Sequence, residues 1–145
     1  MKNYKILKNI SLDSKVLSGY TKTSFSKKDL IKVTYWIEKN EPIDINDFDK
    51  IIHYSENIFK TLNQEAIDSI KVSISKELTD SSFSQSDYKP TEEDYIVLKQ
   101  SLDIMQINFY EEDFVMELVS KPVYPDMKIT SQLSYDFEII ETMIF

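Results

Sequence analysis

The sequence predicts an α+β fold, with a mainly antiparallel sheet packed by two to three helices. Three observations lead there. Both ends of the chain alternate apolar and polar residues with the period of two that a half-buried strand requires. Residues 44–102 instead repeat their apolar residues with a helical period, and the two kinds of signal fall in separate runs rather than alternating. Finally, 145 residues with 41% hydrophobic content suffice to bury a core, and no repeat or linker divides them. The chain therefore reads as one domain over 1–145: a basic, strand-rich part (1–40), a helical part (44–102), and a hairpin with closing strands (104–145).

Lys5–Leu12 and Val16–Phe25 read as edge strands. Asp29–Glu38 is the clearest strand of the first third, with Ile31, Val33, Tyr35 and Ile37 on one face and Lys32, Thr34 and Trp36 on the other. Trp36 among polar neighbours has two readings: an anchor for a partner, or, as is more usual, a side chain covered by another layer. Glu41-Pro42 breaks the strand, and Asp44 is placed to cap an amphipathic helix. Its apolar stripe is Ile45, Phe48, Ile52, Ser55, Phe59 and Leu62, with Asp49, His53, Glu56 and Lys60 opposite.

Residues 64–78 fit both periods; their length and their Gln-Glu-Ala opening favour helix. Thr79–Pro90, with four serines, reads as a polar loop. Thr91-Glu-Glu-Asp94 is a capping signature for a short helix to about Ser101. Ile104–Ser120 is a hairpin turning at Glu111-Glu112-Asp113, and Pro122 and Pro125 bracket a connection. Met127–Leu133 and Phe137–Ile144 extend the sheet, either with a turn at Ser134-Tyr135-Asp136 or as one bent strand running through.

The chemistry is bounded mainly by exclusion. There is no Cys, which rules out disulfides and thiolate metal sites, and His53 alone cannot make a two-His site. Gly19 is the only glycine, so phosphate-cradling glycine loops are excluded, and all 17 basic residues are Lys, so no guanidinium fork exists. Acids cluster at Asp44/Asp47/Asp49, Glu92/Glu93/Asp94 and Glu111/Glu112/Asp113, but two clusters suit helix N-termini and the third a hairpin tip. Asp126-Met-Lys128 and Asp87-Tyr-Lys89 echo half of a nuclease core, at a frequency that chance explains in so charged a chain. No cofactor is expected. The expected compartment is the reducing cytoplasm, because Lys2, Lys5 and Lys8 interrupt any apolar leader and no run approaches a membrane span.

The net charge of −8 is unevenly distributed. Residues 1–40 carry nine Lys against Asp13, Asp29 and Glu38, a net +6, while residues 41–145 carry eight Lys against 22 acids, a net −14. Duplex nucleic acid, which selects a basic stripe, is not the expected partner. A basic protein is.

The helix pair, the hairpin Ile104–Ser120 and the segment Tyr124-Pro-Asp-Met-Lys-Ile129 together resemble small uncharacterised bacterial α+β domains encoded near toxins of competition systems. Some of those domains are credited with immunity, and the resemblance spans residues 30–145. It implies a non-enzymatic inhibitor that neutralises a cognate toxin, and it assigns no functional residue. The partner-binding residues expected from charge and position are Glu111, Glu112 and Asp113 at the hairpin tip, with Asp136 and Glu138 on the solvent side of the last strands. The rival reading is a carboxylate-based, metal-dependent enzyme.

Overall fold

A computed structural model describes residues 7–13, 15–40 and 42–145. Within them the chain is α+β: seven strands in one sheet, three α-helices and a single 3-10 turn, with slightly more residues in strands than in helices. The strands are β1 (Lys8–Asp13), β2 (Val16–Thr21), β3 (Ile31–Trp36), β4 (Asp103–Phe109), β5 (Asp113–Ser120), β6 (Tyr124–Ser134) and β7 (Ile139–Ile144). They lie in sequence order across the sheet. Every neighbouring pair is antiparallel except β3 and β4, which run parallel. A parallel pair cannot be closed by a tight turn. The crossover between them carries α1 (Asp49–Thr61), α2 (Gln64–Ser82) and α3 (Glu92–Ser101).

Local chemistry accounts for the helix starts. Asp44 accepts from the Ile45 N–H (2.8 Å), and Asp47 reaches back to the Asp44 N–H (2.8 Å). This capping box opens a 3-10 turn, Ile45–Phe48, before α1, where the sequence reads as α-helix from the outset. At α2 the Asn63 side chain accepts from the Ala66 N–H (2.8 Å), and at α3 Thr91 and Asp94 form the expected reciprocal cap. Residues 64–78 are helical, and α2 runs on to Ser82 through what reads as loop. Leu78 and Thr79 are buried four residues after the buried pair Ile74 and Ser75, so the helical stripe continues past the first serines.

Other boundaries move for physical reasons. Lys5 and Ile6, where the first strand was expected to begin, lie outside the described residues, and β1 carries a bulge at Asn9 (φ 54°). A Cβ at Gly19 would meet Leu7 and the Lys8 carbonyl, each at 3.3 Å, so β1 lies close over this position. Strand β2 ends at Thr21 rather than Phe25. Pro125 lies within β6 rather than in a connection, tolerated because the β5–β6 register shifts between Leu118 and Ser120.

One buried cluster unites the molecule. It includes Leu17, Val33 and Tyr35 from β2 and β3, Ile58, Ile74 and Leu98 from the three helices, and Phe109, Phe114, Met116 and Leu133 from β4–β6. Tyr35 shares a hydrogen bond with Ser55 of α1 (2.9 Å), and Phe59 of α1 meets the Phe109 ring edge-on (5.8 Å). The other face of the sheet is not covered as expected at Trp36. Tyr20 and Trp36 are 37% and 40% exposed, Lys32 is exposed, and Val115, Glu117 and Gln132 are half-buried.

Candidate functional site

Strand direction gathers the site. The ends of β3 and β4, the β4–β5 loop and the β6–β7 turn all lie at one end of the sheet, because Tyr35 pairs with Phe109, Phe109 with Phe114, and Asp113 with Ser134. The parallel register sets Trp36 beside Tyr110, and their rings stack with centroids 6.0 Å apart and planes 18° off parallel. A cleft of about 380 Å³ opens there, lined by Trp36, Ile37, Glu38, Tyr110, Glu111, Glu112 and Asp113.

The aromatic wall is held from behind. Trp36 Nε1 donates to Thr34 Oγ1 (2.8 Å), and Thr34 Oγ1 donates to Asn108 Oδ1 (2.6 Å). With its one polar atom satisfied, the indole presents ring surface. The Tyr110 N–H donates to the Asp113 carbonyl (2.8 Å), closing the loop with Glu111 and Glu112 exposed at its tip. The Tyr110 carbonyl accepts from the Tyr135 hydroxyl. That bond ties the β6–β7 turn to the β4–β5 loop.

All five acids expected to bind a partner lie at this end, and the exposed Glu38 joins them. Asp113 is half-buried and accepts from Gln132 Nε2 (2.8 Å). Asp136 and Glu138 are both exposed and sit in the β6–β7 turn, so Glu138, expected in the last strand, precedes β7. Their N–H groups donate to Ser134 Oγ (3.3 and 3.2 Å), and Phe137 between them takes a left-handed φ of 67°. The Phe137 ring packs edge-on against Phe114 (6.2 Å), which offsets the backbone strain.

A polar ladder runs from the cleft across the open face. Gln106 Nε2 donates to Asn108 Oδ1 (2.7 Å), Asn108 Nδ2 donates to Glu117 Oε2 (2.6 Å), and Glu117 pairs with Lys128 (2.9 Å). Partial burial pushes the Glu117 carboxyl up, but the hydrogen bonds from Asn108 and Lys128 and the charges of Lys128 and Lys32 outweigh it and hold it below the usual value. Burial, then Asp113 and Glu117, push the Tyr110 phenol up, so this ring stays neutral beside the acids. Because the Glu117 carboxyl titrates lower in the folded chain than in the unfolded one, it adds stability above the unfolded value. That contribution is lost as pH falls through the folded value. Urea unfolding across this range should therefore show wild type losing more stability on acidification than Glu117→Gln does.

The other sequence candidates stand apart. His53 is exposed on α1. Asp44 and Asp47 serve the cap, and Asp47 also pairs with Lys39 (2.9 Å). Asp87 and Lys89 are exposed in the loop before α3, and Lys128 of the second triplet is engaged by Glu117. Among the described residues no group of three or more His, Asp or Glu side chains is placed to hold a metal ion. No described helix is long and apolar enough to cross a membrane. Neither a protein-family model, nor a curated protein, nor a solved structure matches the chain, so the site is read from its own geometry.

Sequence reasoning named Trp36 and the hairpin acids separately and missed Tyr110, Glu38 and Tyr135 as members of one site. The signal available for Tyr110 was its alternation with Phe109, which places it on the face opposite the core.

Proposed function

We propose that the protein is a non-enzymatic, protein-binding inhibitor, most concretely an immunity protein that neutralises a basic toxin in the bacterial cytoplasm. The observation that carries this reading is the cleft that sets four carboxylates, from Glu38, Glu111, Glu112 and Asp113, beside the Trp36–Tyr110 stack, with Asp136 and Glu138 in the β6–β7 turn at the same end of the sheet. Among the described residues, Glu38, Glu111 and Glu112 have no ion-pair partner within the chain. They are free to meet Lys or Arg of another protein.

The chemistry suits a basic protein surface. A cation over an aromatic face gains about 0.5–2 kcal/mol, more as water is excluded, and carboxylates around it add attraction and steer the encounter. A nuclease, whose Lys and Arg side chains normally hold phosphates, is the partner class that this acidic surface fits best. Packing of the helices on the apolar face of the sheet leaves the strand ends available for such contact. Duplex nucleic acid and membranes are not partners in this reading.

Co-expression with the product of the adjacent gene tests it. That product should arrest growth alone and be harmless beside this chain. Failure to protect, together with no binding between the purified proteins, would contradict the proposal.

A further inference from the structure

A second concave surface lies away from the acidic end, between α2 and α3. It is a groove of about 440 Å³, within the roughly 300–1,000 Å³ typical of ligand sites. Val72 and Ile96 lie on it with 51% and 39% of their surface exposed, beside the ring of Tyr95. The Tyr95 hydroxyl is already bonded to Asp80, so the residue offers the groove its ring. These exposed apolar side chains sit on facing helices, unlike the singly scattered ones that any surface carries.

Two features give the groove a chemical polarity. Ser75 helps line it and is 2% exposed, yet its hydroxyl has no hydrogen-bond partner. An unmade buried hydrogen bond costs about 1–3 kcal/mol, and the Ser75 hydroxyl, whose oxygen is closed to solvent, gains a partner when a ligand oxygen displaces the side chains over it. The second feature is charge. Lys76 and Lys99 line the groove, and Lys71 is close enough to feel Lys99 and Lys27, with Asp68 and Asp103 as the nearby acids. Glu92 lines the groove too, two helical turns from Lys99 along α3, a separation of about 10 Å. The groove thus has an acidic end and a basic end joined by an apolar floor.

We propose that this groove binds an amphipathic anion, with an apolar chain lying on Val72, Tyr95 and Ile96 and a single carboxylate directed to Lys99. The two-turn span matches a chain of medium length. A cationic amphipath would bury the same apolar surface, but Glu92 alone lines the groove to meet its head group, against Lys76 and Lys99 for an anion. The proposal is independent of the acidic end and of any protein partner.

The test is an amide chemical-shift titration of the whole chain with decanoate below its micelle concentration, with decyltrimethylammonium as the control of equal chain length. Decanoate should saturate, shift amides confined to α2 and α3, and bind about tenfold or more tightly than the cation. Lys99→Glu should weaken it by about tenfold and Ser75→Ala by a few-fold, the latter without loss of stability, since no existing bond is removed. Equal binding of the cation, shifts centred elsewhere, or no saturation would overturn the assignment. So would Lys99→Glu and Ser75→Ala variants that bind decanoate as wild type does.

Discussion

Trp36→Ala is expected to weaken partner binding by about 2–4 kcal/mol, which is roughly 30-fold to 1,000-fold in Kd and falls mainly on dissociation. Trp36 combines the properties of an interface anchor: a large ring, 40% exposed, held against Tyr110 and locked by its bond to Thr34. Because the ring is only partly buried, the same change should cost the fold about 1 kcal/mol, and circular dichroism should be unchanged. Biosensor kinetics with Trp36→Ala and Trp36→Phe separate the effects, since the phenyl ring should recover part of the affinity. Wild-type dissociation from the alanine variant would place the interface elsewhere.

Phe109→Ala is expected to have the largest effect on stability, about 3–5 kcal/mol. Phe109 is fully buried and touches three rings: Tyr35 at 5.4 Å, Phe59 at 5.8 Å and Phe114 at 5.8 Å. Its loss opens a cavity where β3, β4, β5 and α1 meet. Against a total of about 5–15 kcal/mol for a typical domain, the variant should retain a fold but show a much lower urea midpoint at nearly unchanged slope. A shift below about 1 kcal/mol would mean that the site collapses around the smaller side chain.

These two expectations show what was legible in the sequence. The alternation of Ile31, Val33 and Tyr35 and of Ile107 and Phe109 told which residues face the core, because strand period is a local property. The caps at Asp44 and Thr91 were legible for the same reason: their partners lie three residues away. Pairing between distant strands was not. Nothing near Thr34 or Asn108 announces that they share a parallel register, so the contact that unites Trp36 with Tyr110 was invisible, and with it the cleft. The hairpin acids were identified from charge and turn position, but Glu138 was placed on the last strand, which begins only at Ile139. Tyr135, whose hydroxyl bonds to the Tyr110 carbonyl and joins the two turns, carries no local mark of that role. The helical stripe of α2 past Thr79 was masked by serines whose composition resembles a loop, although Leu78 and Thr79 complete the buried face.

The central claim is that the acidic end of the sheet receives a basic protein. The most direct measurement is the association rate with the product of the adjacent gene, followed by stopped-flow as salt rises from about 0.01 M to about 0.15 M, a range that shortens electrostatic reach from about 30 Å to about 8 Å. Wild type is compared with a triple variant, Glu38→Lys, Glu111→Lys and Glu112→Lys, at exposed positions where charge contributes little to folding. The account predicts a wild-type rate that falls by about tenfold or more over this range, and a triple variant about 10-fold to 100-fold slower at low salt with little or inverted salt dependence. Equal rates and equal salt dependence for the two proteins would contradict it.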